Sequence, residues 1–319
     1  MPGAHGRWNG VKFNRLRQRY RKLSDSLEFT GERFTPECER EIWYEHYHRY
    51  ALATRWCANQ RTLDAACGEG YGSAMLSASA DSVEGVDISE QAIGHARQRY
   101  GHLPGLEFQV ANCTTLPFGD NEFDRVVSFE TLEHLAEHDE LLAEFKRVLK
   151  PEGFLILSSP DKATYSDGQD SVNEYHVKEL YRDELEALIG RHFPAYRLLG
   201  QKLMFHSAIW SLDGVDRVGL DQLSAGENNT PASITQAPMY FIALCAAEKA
   251  GLPDVDGQLW LFDDSDESVY QHYHSEIKRH IAAGGIIADL EKEIAELRNR
   301  SDAPTVSRPT WWQRLLGKS

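Results

Sequence analysis

From residue 61 onward, short apolar runs alternate with longer amphipathic stretches. The runs fall at residues 61–66, 82–86, 106–110, 123–129, 154–158, 195–203 and 239–246. Runs this short, bounded by Gly, Pro, Asp and Asn, predict buried strands. Between them, residues 73–80, 89–100, 137–149 and 182–191 carry helical spacing, with Ser89 as a cap and Glu90 in the first turn behind it. Pro151-Glu152-Gly153 reads as a turn. Upstream, Trp43, His46, Tyr47 and Tyr50 recur at helical spacing, and Glu45 precedes Arg49 by one turn, which predicts a helix over 36–58. The alternation predicts an α/β fold, a seven-stranded mostly parallel sheet flanked by helices.

Outside that core the pattern changes. Residues 1–30 read as a basic arm, and the main domain spans 31–250, with 31–60 as a helical cap. A long polar loop at 212–236 suggests a substrate loop. Residues 251–302 read as a helical tail, in which Ile287, Leu290, Ile294 and Leu297 follow 3-4-3 spacing and Gly284-Gly285 is expected to interrupt the helix. That short stripe suits either docking on the same chain or a homodimer through a coiled coil. Residues 303–319 pair Trp311, Trp312, Leu315 and Leu316 with Arg314 and Lys318, a composition that suits a membrane interface.

Charge sharpens the picture. The chain has 319 residues and a net charge of −15, yet residues 1–23 hold seven basic residues and no acid, and residues 308–319 hold three and no acid. The remainder would repel a polyanion, which argues against DNA or RNA as substrate. The basic ends suit solvated tails or peripheral contact with an anionic membrane. No run of apolar residues is long enough to span a bilayer, and residues 1–22 have no signal-like apolar stretch. Five scattered cysteines without paired spacing read as reduced thiols in a cytoplasmic protein.

The chemistry concentrates at the first strand end. Leu63-Asp64-Ala65-Ala66-Cys67-Gly68-Glu69-Gly70-Tyr71-Gly72 follows a strand and opens a helix. Such a glycine turn lets ligand atoms approach the backbone and presents helix N-terminal amides. The glycines run GxGxG, not the GxGxxG of a pyrophosphate turn, and Asp64 stands where it can accept a hydrogen bond from an ammonium group. A cofactor with an amino-acid end and no phosphate fits. Asp87, nineteen residues after Gly68, ends the second strand and can accept both hydroxyls of an adenosine ribose.

The run DxxCGxGxG, then VDIS, NCTTLPF, FDRVVSFETLEHL and RVLKPEGFLIL closely resembles the class I methyltransferases that use S-adenosyl-L-methionine (SAM), over about residues 60–200. The resemblance implies a Rossmann-like fold and SAM as cofactor. It places Asp64, Gly68, Gly70 and Gly72 at the methionine end, Asp87 at the ribose with Ile88 next to it among the cofactor-binding residues, Asn112 and the Cys113 amide at the adenine, and Glu130 beside the sulfonium. The family usually has Asp where Asn112 stands; the Asn carbonyl can still receive the adenine amino group.

Methyl transfer to a hydroxyl needs the acceptor held in line and its proton removed. His134, five residues past the fourth strand, and His176, in the loop after the fifth, are the candidate catalytic bases. Tyr165 and Asn173 are candidates for binding sugar hydroxyls. Glu130, Glu133, His134 and His176 also resemble the metal-binding set of small-RNA 3′-end methyltransferases, but the Glu-His pair occurs in metal-free relatives and the acidic body disfavours RNA, so no metal is expected. Segments such as GERFTPE, EHYHRY, SSPDK and YHVKEL resemble methyltransferases of bacterial surface-polysaccharide (O-antigen or capsule) synthesis. That implies a glycan acceptor, with Arg33, His48 and Arg49 as candidate contacts, and a location at the inner membrane face. A small acceptor, such as a quinone precursor or nucleotide sugar, and a non-catalytic scaffold are the alternatives.

Overall fold

The computed structural model describes residues 41–169, 173–204, 234, 236–262 and 267–301. The basic arm, Arg33, nearly all of the 212–236 loop and residues 303–319 lie outside these. The described residues divide into two units, those up to 262 and those from 267 on.

In the first unit, helix α1 (Glu41–Trp56) precedes β1 (Arg61–Ala65), α2 (Tyr71–Leu76), β2 (Ser82–Asp87), α3 (Glu90–Tyr100), β3 (Leu106–Val110) and β4 (Phe123–Ser128). Then come α4 (His138–Val148), β5 (Leu149–Pro160), a short α5 (Lys162–Tyr165), α6 (Arg182–His192), β6 (Ala195–Gln201) and β7 (Tyr240–Ala246). The seven strands form one sheet in the order β3-β2-β1-β4-β5-β7-β6. All pairs are parallel except those of β7, which runs antiparallel to both β5 and β6.

Strands buried on both faces must be apolar at successive positions, and β5 and β7 show it. Phe154, Ile156, Ile242 and Leu244 join α1, α2 and α3 in one core. Leu155, Leu157, Phe241, Ala243 and Cys245 join α4 and α6 in the other. The chain leaves β1 toward β2 and β3, then returns to β4 on the other side of β1. That reversal is a topological switch point, and the carboxyl ends of β1, β2 and β4 open a crevice there.

Three local expectations are corrected. β5 runs unbroken from Leu149 through Pro151-Glu152-Gly153, and a register shift against β4 between Phe123 and Arg125 absorbs the irregularity. The helix after the glycine turn is short, starting at Tyr71 and ending at Leu76. In the second unit, α7 (Ser268–Ser301) passes through Gly284-Gly285 without a break. Glycine lowers helix propensity by about 1 kcal/mol per residue, too little to stop a helix of 34 residues. Its Ile287, Leu290, Ile294 and Leu297 stripe is exposed. No described helix is long and apolar enough to cross a membrane.

α1 is fastened to the glycine helix through Tyr50. A Cβ at Gly72 would stand 2.0 Å from the Tyr50 ring, so the absence of a side chain there lets the two helices touch. Gly72→Ala should lower stability by roughly 1–3 kcal/mol through overpacking, read as a drop in denaturant midpoint, and Tyr50→Leu in the same chain should restore part of the loss.

Candidate active site

The β1 tip turns through Ala66, Gly68 and Gly70, all with positive φ (60°, 56° and 89°). At Gly70 a Cβ would also sit 2.8 Å from Ala96 and Phe108, so glycine is required for both conformation and space. Asp87 holds this turn against β2. Its Oδ2 accepts the Gly68 amide at 2.9 Å and its Oδ1 the Ser89 amide at 2.8 Å. Each carboxylate oxygen offers a second lone pair, so the bonds fix Asp87 without exhausting it. Ile88 beside it is bare to solvent, 72% exposed. That is a flat apolar surface next to a hydroxyl acceptor.

Asp64 departs from the expected ammonium contact. It is fully buried, with Oδ1 accepting the Tyr50 hydroxyl at 3.1 Å and Oδ2 the Ser73 hydroxyl at 2.6 Å. Burial pushes its pKa up to about 7, against the opposing pull of those two hydrogen bonds. In this arrangement Asp64 ties α1, β1 and α2 together behind the glycine turn. Asn112 departs in a similar way. Its Oδ1 accepts the Thr114 amide and hydroxyl, both at 2.9 Å, so the carbonyl assigned to adenine is engaged in a local turn. Cys113 is buried and its thiol is pushed up to about 12 by desolvation, which fits a role through its backbone only.

Glu130 follows β4 with φ of 50°, an uncommon conformation for a non-glycine residue and one that gathers at functional sites. Its amide donates to the Ser158 hydroxyl at 3.1 Å, and that hydroxyl donates to Glu130 Oε1 at 2.6 Å. Arg49 of α1 approaches the same oxygen at 3.9 Å, donates to Gln201 Oε1 at 2.8 Å, and lies 4.8 Å over the Tyr240 ring. The guanidinium is fully buried; desolvation opposes its charge, and Glu130, Tyr240 and Glu45 outweigh that and raise its pKa. His48 is held neutral near neutral pH, its pKa lowered to about 4 by burial and by Arg49. With Tyr44, Leu52, Leu199, Trp260 and Phe262 it lines a largely apolar cavity of about 450 Å³.

The two candidate bases come together. His134, on a short 3-10 turn (Leu132–His134), and His176 have ring centroids 5.0 Å apart. The Glu133 carbonyl accepts the Val177 and Lys178 amides at 2.8 and 3.1 Å, stitching the two loops together. His134 Nδ1 meets the Tyr175 carbonyl at 3.1 Å, His176 Nδ1 pairs with Glu179, and Tyr165 stacks on His176 at 5.4 Å. Asn173 Oδ1 accepts the Tyr175 amide, shaping the loop that carries His176. No metal was expected here, yet Glu133, His134 and His176 each bring a ligand atom within 4.8 Å of the others. Tyr50, Ser73, Ser158, Gln201 and Glu179 were not anticipated as site residues. Only Glu179, three residues from His176, had a local signal.

Comparisons with known proteins agree with this geometry. Residues 63–157 match the family model described as a methyltransferase domain. The chain is 38% identical over 167 residues to a probable S-adenosylmethionine-dependent methyltransferase of Mycobacterium tuberculosis, covering 51% of this chain and 60% of that one. It is 35% identical over 170 residues to another so named from Mycolicibacterium smegmatis, covering 52% and 65%. A demethylmenaquinone methyltransferase of Clavibacter sepedonicus is 32% identical over 149 residues, covering 46% and 59%. The chain thus spans about three fifths of the length of the curated relatives it matches. Residues 63–157, which hold the glycine turn, Asp87 and Glu130, are thus similar to a methyltransferase domain, and relatives matched over this region are named as SAM-dependent enzymes.

The raised Asp64 pKa gives a signed expectation. Unfolded, the group ionises near 3.8; folded, near 7. Between those values the folded chain holds the extra proton, so stability falls as pH rises through the window and levels off above it. Asp64→Asn removes that term. Urea unfolding at pH 5 and pH 8 should show the wild type losing on the order of 3 kcal/mol more than the variant over that interval.

Proposed function

We propose that the protein is an O-methyltransferase that moves the SAM methyl group to a sugar hydroxyl, in a cell-surface polysaccharide or at its chain terminus. The observation that carries the hydroxyl acceptor is the His134–His176 pair just beyond the β4 tip, with each Nδ1 fixed by a carbonyl or a carboxylate. An imidazole that donates from Nδ1 keeps its lone pair on Nε2, where it can take the proton of an alcohol as the new bond forms.

In this reading the turn through Gly68 and Gly70 receives the methionine end, Gly72 seats the Tyr50 ring behind it, Asp87 receives the ribose hydroxyls, and Ile88 lies under the adenine. Asn112 serves an adenine ring nitrogen through its amide donor, because its carbonyl is engaged by Thr114. Glu130, fixed by Ser158 and faced by Arg49, places negative charge beside the sulfonium. Methyl transfer is an in-line displacement at an activated carbon, so positioning and proton removal are the protein's main tasks. Tyr165, stacked on His176, and Asn173 would meet sugar hydroxyls. The glycan class rests on the sequence resemblance to surface-polysaccharide methyltransferases. With it go the proposals of peripheral membrane contact through the basic ends and of a homodimer through residues 287–297.

A small-metabolite acceptor such as a quinone precursor is the second reading. The cavity beside Arg49, walled by Leu52, Trp260 and Phe262, favours it, as does the likeness to a demethylmenaquinone methyltransferase.

Calorimetry should show saturable SAM binding that Asp87→Ala weakens by more than about 10-fold, the loss of charge-assisted hydrogen bonds. Absence of SAM binding by the intact protein would reject the enzyme reading. Radiolabelled methyl transfer should favour isolated surface polysaccharide over nucleotide sugars and lipid extract; the reverse order selects the second reading. His134→Ala should lower turnover by roughly two to four decades with SAM affinity nearly unchanged.

A further inference from the structure

Glu133 has no role in the chemistry above, yet it is the most conspicuous buried acid beside it. The residue is 1% exposed, and neither carboxylate oxygen has a hydrogen-bond partner. Burying a carboxylate without a donor is costly, so such a group calls for a counterpart. Its backbone is fixed against the His176 loop, because its carbonyl accepts the amides of Val177 and Lys178. His134 and His176 stand next to it, and the three ligand atoms lie within 4.8 Å of one another.

The imidazoles are already oriented. His134 Nδ1 meets the Tyr175 carbonyl, and His176 Nδ1 meets the Glu179 carboxylate, with His176 and Glu179 side chains both nearly buried. Metal-ligating histidines are held this way, one nitrogen on a carbonyl or carboxylate and the lone pair on the other. Glu130 is excluded from the set, since its Oε1 accepts the Ser158 hydroxyl and faces Arg49.

We infer that Glu133, His134 and His176 bind one divalent cation of the zinc, manganese, iron or cobalt kind. Two imidazoles and a carboxylate suit these ions, whereas magnesium and calcium prefer an all-oxygen shell. A cation about 2.1 Å from each donor needs the donors roughly 3.4 Å apart, so the trio closes inward by about an ångström around it. Three protein ligands leave at least one open position.

Resting on the methyltransferase reading, that position takes the acceptor hydroxyl, and the cation replaces the imidazole base, because the histidine lone pairs are then engaged by the metal. Coordination lowers the pKa of a bound oxygen. The O–H bond breaks and its proton passes to solvent water. An oxygen lone pair then forms the new O–C bond while the C–S bond of SAM breaks, its electron pair remaining on sulfur.

The test uses full-length protein stripped with chelator and then titrated with Zn²⁺, Mn²⁺ or Co²⁺ alone, followed by calorimetry and, for Co²⁺, visible absorption. SAM affinity is measured on the same samples. One equivalent should bind with a dissociation constant below about 10 µM. Glu133→Gln and His176→Asn should weaken it by more than about 100-fold, and Glu179→Gln, which removes only the partner of His176, by about 10-fold. SAM affinity should persist in all three, which shows that they fold. No saturable binding, or binding that survives both Glu133→Gln and His176→Asn, overturns the cation site while leaving SAM binding intact. Cation binding in protein with no SAM affinity upholds the site and removes only its link to methyl transfer.

Discussion

The buried Asp64 carboxylate organises the cofactor side of the crevice. A carboxylate taken out of water needs donors, and it receives two, Tyr50 from α1 and Ser73 from α2. Three successive elements, α1, β1 and α2, therefore meet at one acid behind the glycine turn. The contact of the Tyr50 ring with Gly72 belongs to the same joint, because any side chain at that glycine would push α1 away. Once α1 is seated, Arg49 and Glu45 reach across the open edge to β6 and β7 through Gln201 and Tyr240. The helix thus links the cofactor half of the sheet with the antiparallel half.

The crevice has two electrostatic characters. On the β1–β2 side, Asp87 spends its oxygens on backbone amides and fixes the turn, while Ile88 offers bare apolar surface. On the β4–β5 side, Glu130, Glu133 and Glu179 crowd around two imidazoles and one buried guanidinium. Burial and the neighbouring Glu130 charge raise the Glu133 pKa well above the carboxylate range. In the proposed reaction the cationic sulfonium lies beside this cluster, where its positive charge relieves the crowded acids. The strained backbone of Glu130 lies at the boundary between these two characters, where the reacting groups would meet.

The fold was legible because its signals are local. Strand runs buried on both faces and the Ser89 cap with Glu90 behind it are properties of a few adjacent residues, and they gave the elements to within a few positions. The glycine turn and the Asp87 spacing stood out for the same reason. Errors arose where context overrode propensity. β5 continued through Pro151-Glu152-Gly153 because a register shift against β4 accommodated it, and α7 continued through Gly284-Gly285 because two glycines cost little in a helix so long.

The sequence by itself determined the order of strands and helices, the glycine spacing of the turn and the residues bordering it. These follow from periodicity and from backbone rules that act over a handful of positions. Only the tertiary structure decided what each polar group touches. It covered Asp64 with Tyr50 and Ser73, engaged the Asn112 carbonyl, and set Glu133 against His134 and His176. Apart from the local Asn112 turn, these contacts join different elements or loops, and burial, which fixes the cost of leaving a charge unpaired, exists only once those elements have packed.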